Sequence, residues 1–120
     1  MTEIGVGNDK VNAEQLRSAV AESVMGWHCA LRSWAYALEV ECWHGDDGGA
    51  VMPCAAWRPD EDDCQSLAVL DEMIEQGFDC SVEITAAEVV FAFSRDGCDE
   101  VPVSHPQRRI ALLLAALAAR

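Results

Sequence analysis

The chain predicts an α+β fold: a layered sandwich in which about four antiparallel strands carry three helices. Three observations predict it. Apolar residues recur at helical spacing in three segments that carry start and stop residues at their ends. They alternate at strand spacing in the segments between. The order is helix, strands, helix, hairpin, helix, a loose duplication of a helix-plus-hairpin unit. With 120 residues, 51% of them apolar, the chain can bury enough surface to offset its conformational entropy without disulfides.

Residues 1–10 include Gly5 and Gly7, show no periodicity and read as a flexible tail; residues 11–120 read as one domain. Leu16, Val20 and Val24 fall at i, i+4 and i+8, Asn12 and Gln15 resemble a capping box, and Gly26 supplies a stop, predicting a helix over 13–25. Tyr36, Leu38, Val40 and Cys42 alternate with Ala37, Glu39, Glu41 and Trp43, the period of a half-buried strand. Asp46-Asp47-Gly48-Gly49 is a turn signal, across which residues 50–52 pair back. A second helix starts in Asp60-Glu61-Asp62-Asp63, continues on Leu67, Leu70, Met73 and Ile74, and stops at Gly77. Acids there cap free N–H groups and oppose the positive dipole end. Phe78, Cys80, Val82 and Ile84 alternate as a strand, and residues 88–94, apolar on both faces, read as a central one. Ser104-His105-Pro106-Gln107 looks like a helix start, predicting a last helix over 106–119 with Ile110, Leu113, Leu114 and Leu117 on its apolar side.

The net charge of −13 is regional. Residues 39–100 hold seventeen acids against Arg58 and Arg95, a local −15, while the remainder is +2. A phosphate backbone is bound by Lys and Arg, so direct nucleic-acid binding is excluded and a basic protein becomes the natural charged partner. Met1 is followed by polar and acidic residues with no basic or apolar leader pattern, and the longest apolar run, 110–119, falls short of the ~20 residues of a bilayer span. No membrane association and a cytoplasmic location are therefore expected. In such a compartment the six cysteines read as buried thiols.

No pattern of catalytic residues is present: there is no GxSxG, no phosphate-cradling loop and no HExxH, so a non-enzyme without cofactor is expected. The alternative chemistry is zinc, with Cys42 and His44 on one strand face and His28-Cys29 upstream, although paired CxxC ligands are missing. Asp60 to Asp63, and Asp96-Gly97-Cys98-Asp99-Glu100, lack the ligand spacing of a calcium loop and read as a helix cap and a solvated loop. Of the four tryptophans, Trp27 and Trp57 sit where helices meet strands and read as core anchors; Trp34 and Trp43 read as interface residues.

Several landmarks occur in a fixed order. Val24-Met25-Gly26-Trp27 closes the first helix, Trp57-Arg58-Pro59-Asp60 precedes the second, and Gly77-Phe78 leads into a hairpin. Ser104-His105-Pro106 then introduces Ile110-Ala111-Leu112-Leu113-Leu114-Ala115-Ala116-Leu117. Over residues 16–119 this order resembles the small phage proteins grouped as the phage ABA sandwich domain. That family usually has Ser or Thr where this chain has Asp60, and the Cys- and Trp-rich segment between Trp27 and Trp57 departs from it. The resemblance implies a phage or prophage origin and an α-β sandwich, and brings no catalytic residues with it.

The functional expectation is a non-enzymatic phage or prophage module that binds a basic protein surface. One specific form is inhibition of a host defence or nucleic-acid-binding complex in the bacterial cytosol. Glu39, Glu41, Asp46, Asp47, Asp60, Glu61, Asp62 and Asp63 would steer the partner, with Trp34 or Trp43 as apolar anchor. The alternative is a small structural protein, zinc-stabilised or homo-oligomeric through the Ala/Leu-rich last helix, whose acidity serves only solubility.

Overall fold

Helix α1, Ala13–Ser23, begins where Asn12 Oδ1 accepts the Gln15 backbone N–H at 3.0 Å, so the cap read from the sequence is made. The computed structural model describes residues 12–33, 39–96 and 100–120. α1 turns Leu16, Val20, Ala21 and Val24 into the core, and Gly26, at φ 75°, releases the chain into strand β1, His28–Ser33.

β1 pairs antiparallel with β2, Glu39–His44, which pairs antiparallel with β3, Ala50–Pro53. The Asp46–Gly49 turn joins the last two as expected: Asp47 Oδ1 accepts the Gly49 N–H at 2.8 Å, and Gly48 takes the left-handed φ of 81°. The expected strand residues Tyr36 and Leu38, and Trp34 beside them, lie outside the described residues. A short 3-10 helix, Cys54–Ala56, leads out of β3 and turns back against β2.

Helix α2, Asp63–Glu75, is capped by Asp62, whose Oδ1 accepts the Gln65 N–H at 2.9 Å. It closes with Phe78 N–H on Met73 O at 3.1 Å and Gly77 N–H on Ile74 O at 3.0 Å, a Schellman pair that places Gly77 at φ 97°. A second sheet follows, with β4 (Asp79–Ile84), β5 (Val89–Ser94) and β6 (Val103–His105) in the order β4-β5-β6, all antiparallel. β5 is central, as its two apolar faces predict. The strands therefore form two three-stranded sheets and not one sheet of four. The sequence pattern shows which segments are strands, but hydrogen-bond partners are chosen by chain geometry, and the α2 crossover here separates two local meanders.

The last helix, α3, runs Arg108–Ala119, two residues later than expected. Ser104 is not its cap: Val103–His105 pairs with β5, placing Val103 opposite Phe91 and Ser104 opposite Val90. Cross-strand hydrogen bonding takes the backbone that a cap would need, and Gln107 becomes the N-cap without a side-chain bond. Ala111, Leu112, Leu113, Ala115 and Ala116 are buried where α3 packs on β5, β6, α1 and α2. The helix buries these five residues inside its own chain and leaves Ile110, Leu114 and Leu117 partly buried at the margin of the core. One apolar cluster joins Leu16, Val20, Trp43, Trp57, Met73, Phe78, Phe91, Phe93 and Leu113, linking both sheets to the helices.

Strand β4 is an open edge of the second sheet. Cys80, Val82 and Ile84 share a face with the buried Phe93, Phe91 and Val89 opposite them, yet leave the core progressively, Val82 being 48% and Ile84 69% exposed. No helix among the described residues is long and apolar enough to cross a membrane.

Candidate functional site

The Trp57-Arg58-Pro59-Asp60 segment builds the centre of the molecule. Trp57 and Pro59 are buried, Arg58 is exposed, and Asp60 is buried, 8% exposed. The Trp57 indole N–H donates to the Arg17 backbone carbonyl at 2.9 Å, and the ring meets Trp27 edge-on with centroids 4.8 Å apart. Both tryptophans are the core anchors their positions suggested. Arg17, from α1, grips Asp60 with two donors, Nε to Oδ1 at 2.6 Å and Nη2 to Oδ2 at 2.9 Å, the bidentate geometry that suits a guanidinium. This hydrogen bond is the main reason the Arg17 pKa lies above its ordinary value. Glu61 takes a further 3.2 Å contact from Arg17 and one of 3.3 Å from Arg58. Asp63 accepts from Arg109 and Arg108, both at 2.8 Å, which hold its carboxyl below the usual carboxylate range, and Arg109 Nε also donates to the Asp60 carbonyl at 3.1 Å.

The tetrad Asp60 to Asp63 thus ties the starts of α2 and α3 to α1. Asp60 is a buried ion-pair partner, and Asp62 is an exposed helix cap with one oxygen on the Gln65 N–H. Glu61 and Asp63 are exposed, but their charges are met by arginines of the same chain. Of the acids expected to steer a partner, Glu39, Glu41, Asp46, Asp47 and Asp62 remain exposed and outside any ion pair among the described residues, Asp62 being engaged as a helix cap.

The polar face of α1 looks across a cleft of about 650 Å³ toward the first sheet. Its walls are Glu14, Arg17, Ser18 and Glu22 from α1, and Cys29, Glu41 and Trp43 from β1 and β2. Cys54 and Ala55 of the 3-10 turn, with Trp57 and Arg58, complete them. Register places Cys29 beside Trp43 and Leu31 beside Glu41, so these four share the face toward the cleft. Trp43 is 4% exposed, a buried lining residue and not a projecting anchor. Its indole Nε1 is the one buried side-chain polar atom without a hydrogen-bond partner among the described residues.

The electrostatic sign of the cleft follows from what is already paired. Arg17 is engaged by Asp60 and Glu61, and Arg58 by Glu61 and the Ala55 carbonyl at 3.2 Å. Glu14, Glu22 and Glu41 enter no ion pair among the described residues. The free charge facing the cleft is negative. Glu14, Ser18 and Glu22 recur every fourth residue, so this polar stripe is legible in the sequence, although its two acids are few beside the seventeen of residues 39–100.

The four residues considered for zinc divide between the two faces of the first sheet. His28 lies opposite His44 and their rings stack at 5.3 Å, with Cys42 on the same face, whereas Cys29 points to the cleft. His44 Nδ1 donates to the Cys42 carbonyl at 3.2 Å. Among the described residues no group of three or more His, Cys, Asp or Glu side chains is placed to hold a metal. The cysteines also depart from expectation: of the five described, only Cys42 is buried, and Cys29 and Cys64 are exposed. Cys29 and Cys54 touch, Sγ to Sγ 3.4 Å. Burial, then the Cys29 contact and the nearby Glu41 charge, push the Cys54 thiol up to about 12. No protein-family model, curated protein or solved structure matches this chain.

Proposed function

We propose that this chain is a non-enzymatic, acidic protein-interaction module that receives a basic segment of a partner protein in the cleft between α1 and the first sheet. The observation that carries this reading is the set of three glutamates, Glu14, Glu22 and Glu41, without an ion-pair partner among the described residues, around a cleft whose own arginines are engaged by acids of the same chain. A lysine or arginine entering there meets negative charge that no cation among the described residues pairs with. Glu39, Asp46 and Asp47 extend the negative field along the same sheet and would raise the association rate. The order of the landmark motifs supports a phage or prophage origin. A basic host protein of the bacterial cytosol, such as a component of a defence or nucleic-acid-binding complex, is then the kind of target whose cationic groove the module would occupy.

The test is a titration with a synthetic lysine- and arginine-bearing peptide, followed by backbone chemical shifts at low and high salt. Shifts confined to α1, β1 and β2, abolished by joint Glu14→Gln, Glu22→Gln and Glu41→Gln substitution, are expected. A salt-graded pull-down from bacterial lysate with the wild type and the triple variant then isolates the natural target. Shifts spread evenly over every acidic surface would instead assign the charge to solubility alone.

A further inference from the structure

We propose that Cys29 and Cys54 form a covalent modification site, a dithiol that closes to an intramolecular disulfide on meeting a hydroperoxide. The strands themselves do not bring these residues together. Cys29 in β1 is level with Trp43 in β2, which is level with Met52 in β3, and β1 and β3 are the two edges of that sheet, about 10 Å apart. The 3-10 helix Cys54–Ala56 turns back over β2 and carries Cys54 to Cys29. Their sulfurs stand 3.4 Å apart, so little more than ~1.3 Å of travel reaches the bonded distance.

The other described thiols are not placed to compete. Cys42 lies on the opposite face of β2 and is buried, Cys64 is exposed at the start of α2, and Cys80 reaches only the Ser81 carbonyl, at 3.9 Å. Cys29 is exposed and opens on the cleft, so a small oxidant reaches it from solvent. Cys54 is half-buried and holds its proton firmly, which assigns the order of events.

The Cys29 thiolate attacks one peroxide oxygen and the O–O bond breaks. The departing alkoxide or hydroxide takes up the proton that Cys29 released, leaving a sulfenic acid on Cys29. Cys54 Sγ then attacks that sulfur while its proton passes to the leaving oxygen, which departs as water. In sum two thiols and one hydroperoxide give one disulfide, one alcohol or water, and one water. The bond would span the middle strand of the first sheet and pin the turn that forms one wall of the cleft. The site stands whether or not the cleft binds a basic partner.

Reduced, metal-free protein treated anaerobically with stoichiometric hydrogen peroxide, then trapped with iodoacetamide and mapped by mass spectrometry, tests it. The expected result is a mass loss of two hydrogens, a Cys29–Cys54 cross-linked peptide as the main product, and an unfolding midpoint raised by roughly 10 °C and returned by dithiothreitol. In Cys54→Ser, a dimedone adduct should appear on Cys29 in place of the cross-link. A map in which Cys64, Cys80 or Cys98 pair as readily, peroxide that leaves the thiol count unchanged, or stoichiometric retention of added zinc by the pair would overturn the proposal.

Discussion

Two groups of acids, Asp60 to Asp63 and the trio Glu14, Glu22 and Glu41, lie on either side of the same arginine and do opposite things. The first group is consumed: Asp60 and Glu61 on Arg17, Asp63 on Arg108 and Arg109, Asp62 on the first turn of α2. The second has no ion-pair partner among the described residues, where the arginines lining the cleft are already occupied. Acid density along the chain therefore ranks these groups in the wrong order for binding. What decides is whether a cation of the same chain arrives first.

The comparison breaks if the two groups respond alike to substitution. The largest effect is expected at Asp60→Ala, which leaves the partly buried Arg17 guanidinium without its bidentate acceptor and should cost roughly 3 kcal/mol in urea unfolding. Asp60→Ala matching the stability of an exposed-site control would remove the distinction. Next comes joint Glu14→Gln, Glu22→Gln and Glu41→Gln. Stability should change by no more than about 0.5 kcal/mol per site. Affinity for a basic peptide should fall at least ~10-fold at low salt and converge with the wild type at high salt, where exposed charges are screened. Isothermal titration at two ionic strengths reads both.

A smaller effect belongs to Asp63 and is one of pH. Its folded pKa lies below the ordinary value, so the stabilisation it brings is complete above the unfolded carboxylate range and is lost as pH falls through the folded value. Asp63→Asn should flatten that part of the stability–pH curve, and urea midpoints at stepped acid pH would reveal it. Cys54 behaves in the opposite sense. Its raised pKa means that its contribution is intact below the ordinary thiol value and is lost as pH climbs toward about 12, so reduced protein should loosen in alkali and Cys54→Ser less so. The smallest effect is expected at Asp46→Ala, within about 0.5 kcal/mol, because its exposed carboxylate makes no ion pair among the described residues.

Local chemistry was legible in the sequence where one residue settles one bond. Asn12 and Asp62 cap their helices, Gly77 closes α2, and Asp47 with Gly48 makes the β2–β3 turn, all from short-range preferences. Partner choice was not legible. Ser104 carries a plausible cap signal, yet pairing with Val90 outweighed it, since a run of cross-strand hydrogen bonds is worth more than one side-chain cap. The division into two sheets escaped for the same reason. At the site, every acid–arginine pair but Arg58–Glu61 joins residues more than forty positions apart, and the Cys29–Cys54 contact depends on a three-residue turn crossing a strand; neither leaves a periodic trace.

Strand β4 turns the acidity to yet another end. Were two copies to meet edge to edge, antiparallel and centred on Ser81, Asp79 of each would face Glu83 of the other. Like charges directly opposite in a ladder repel, so this pairing is discouraged although Val82 and Ile84 stand open beside it. Two carboxylates on one short strand thus keep an exposed apolar edge from serving as a seam between copies of the chain.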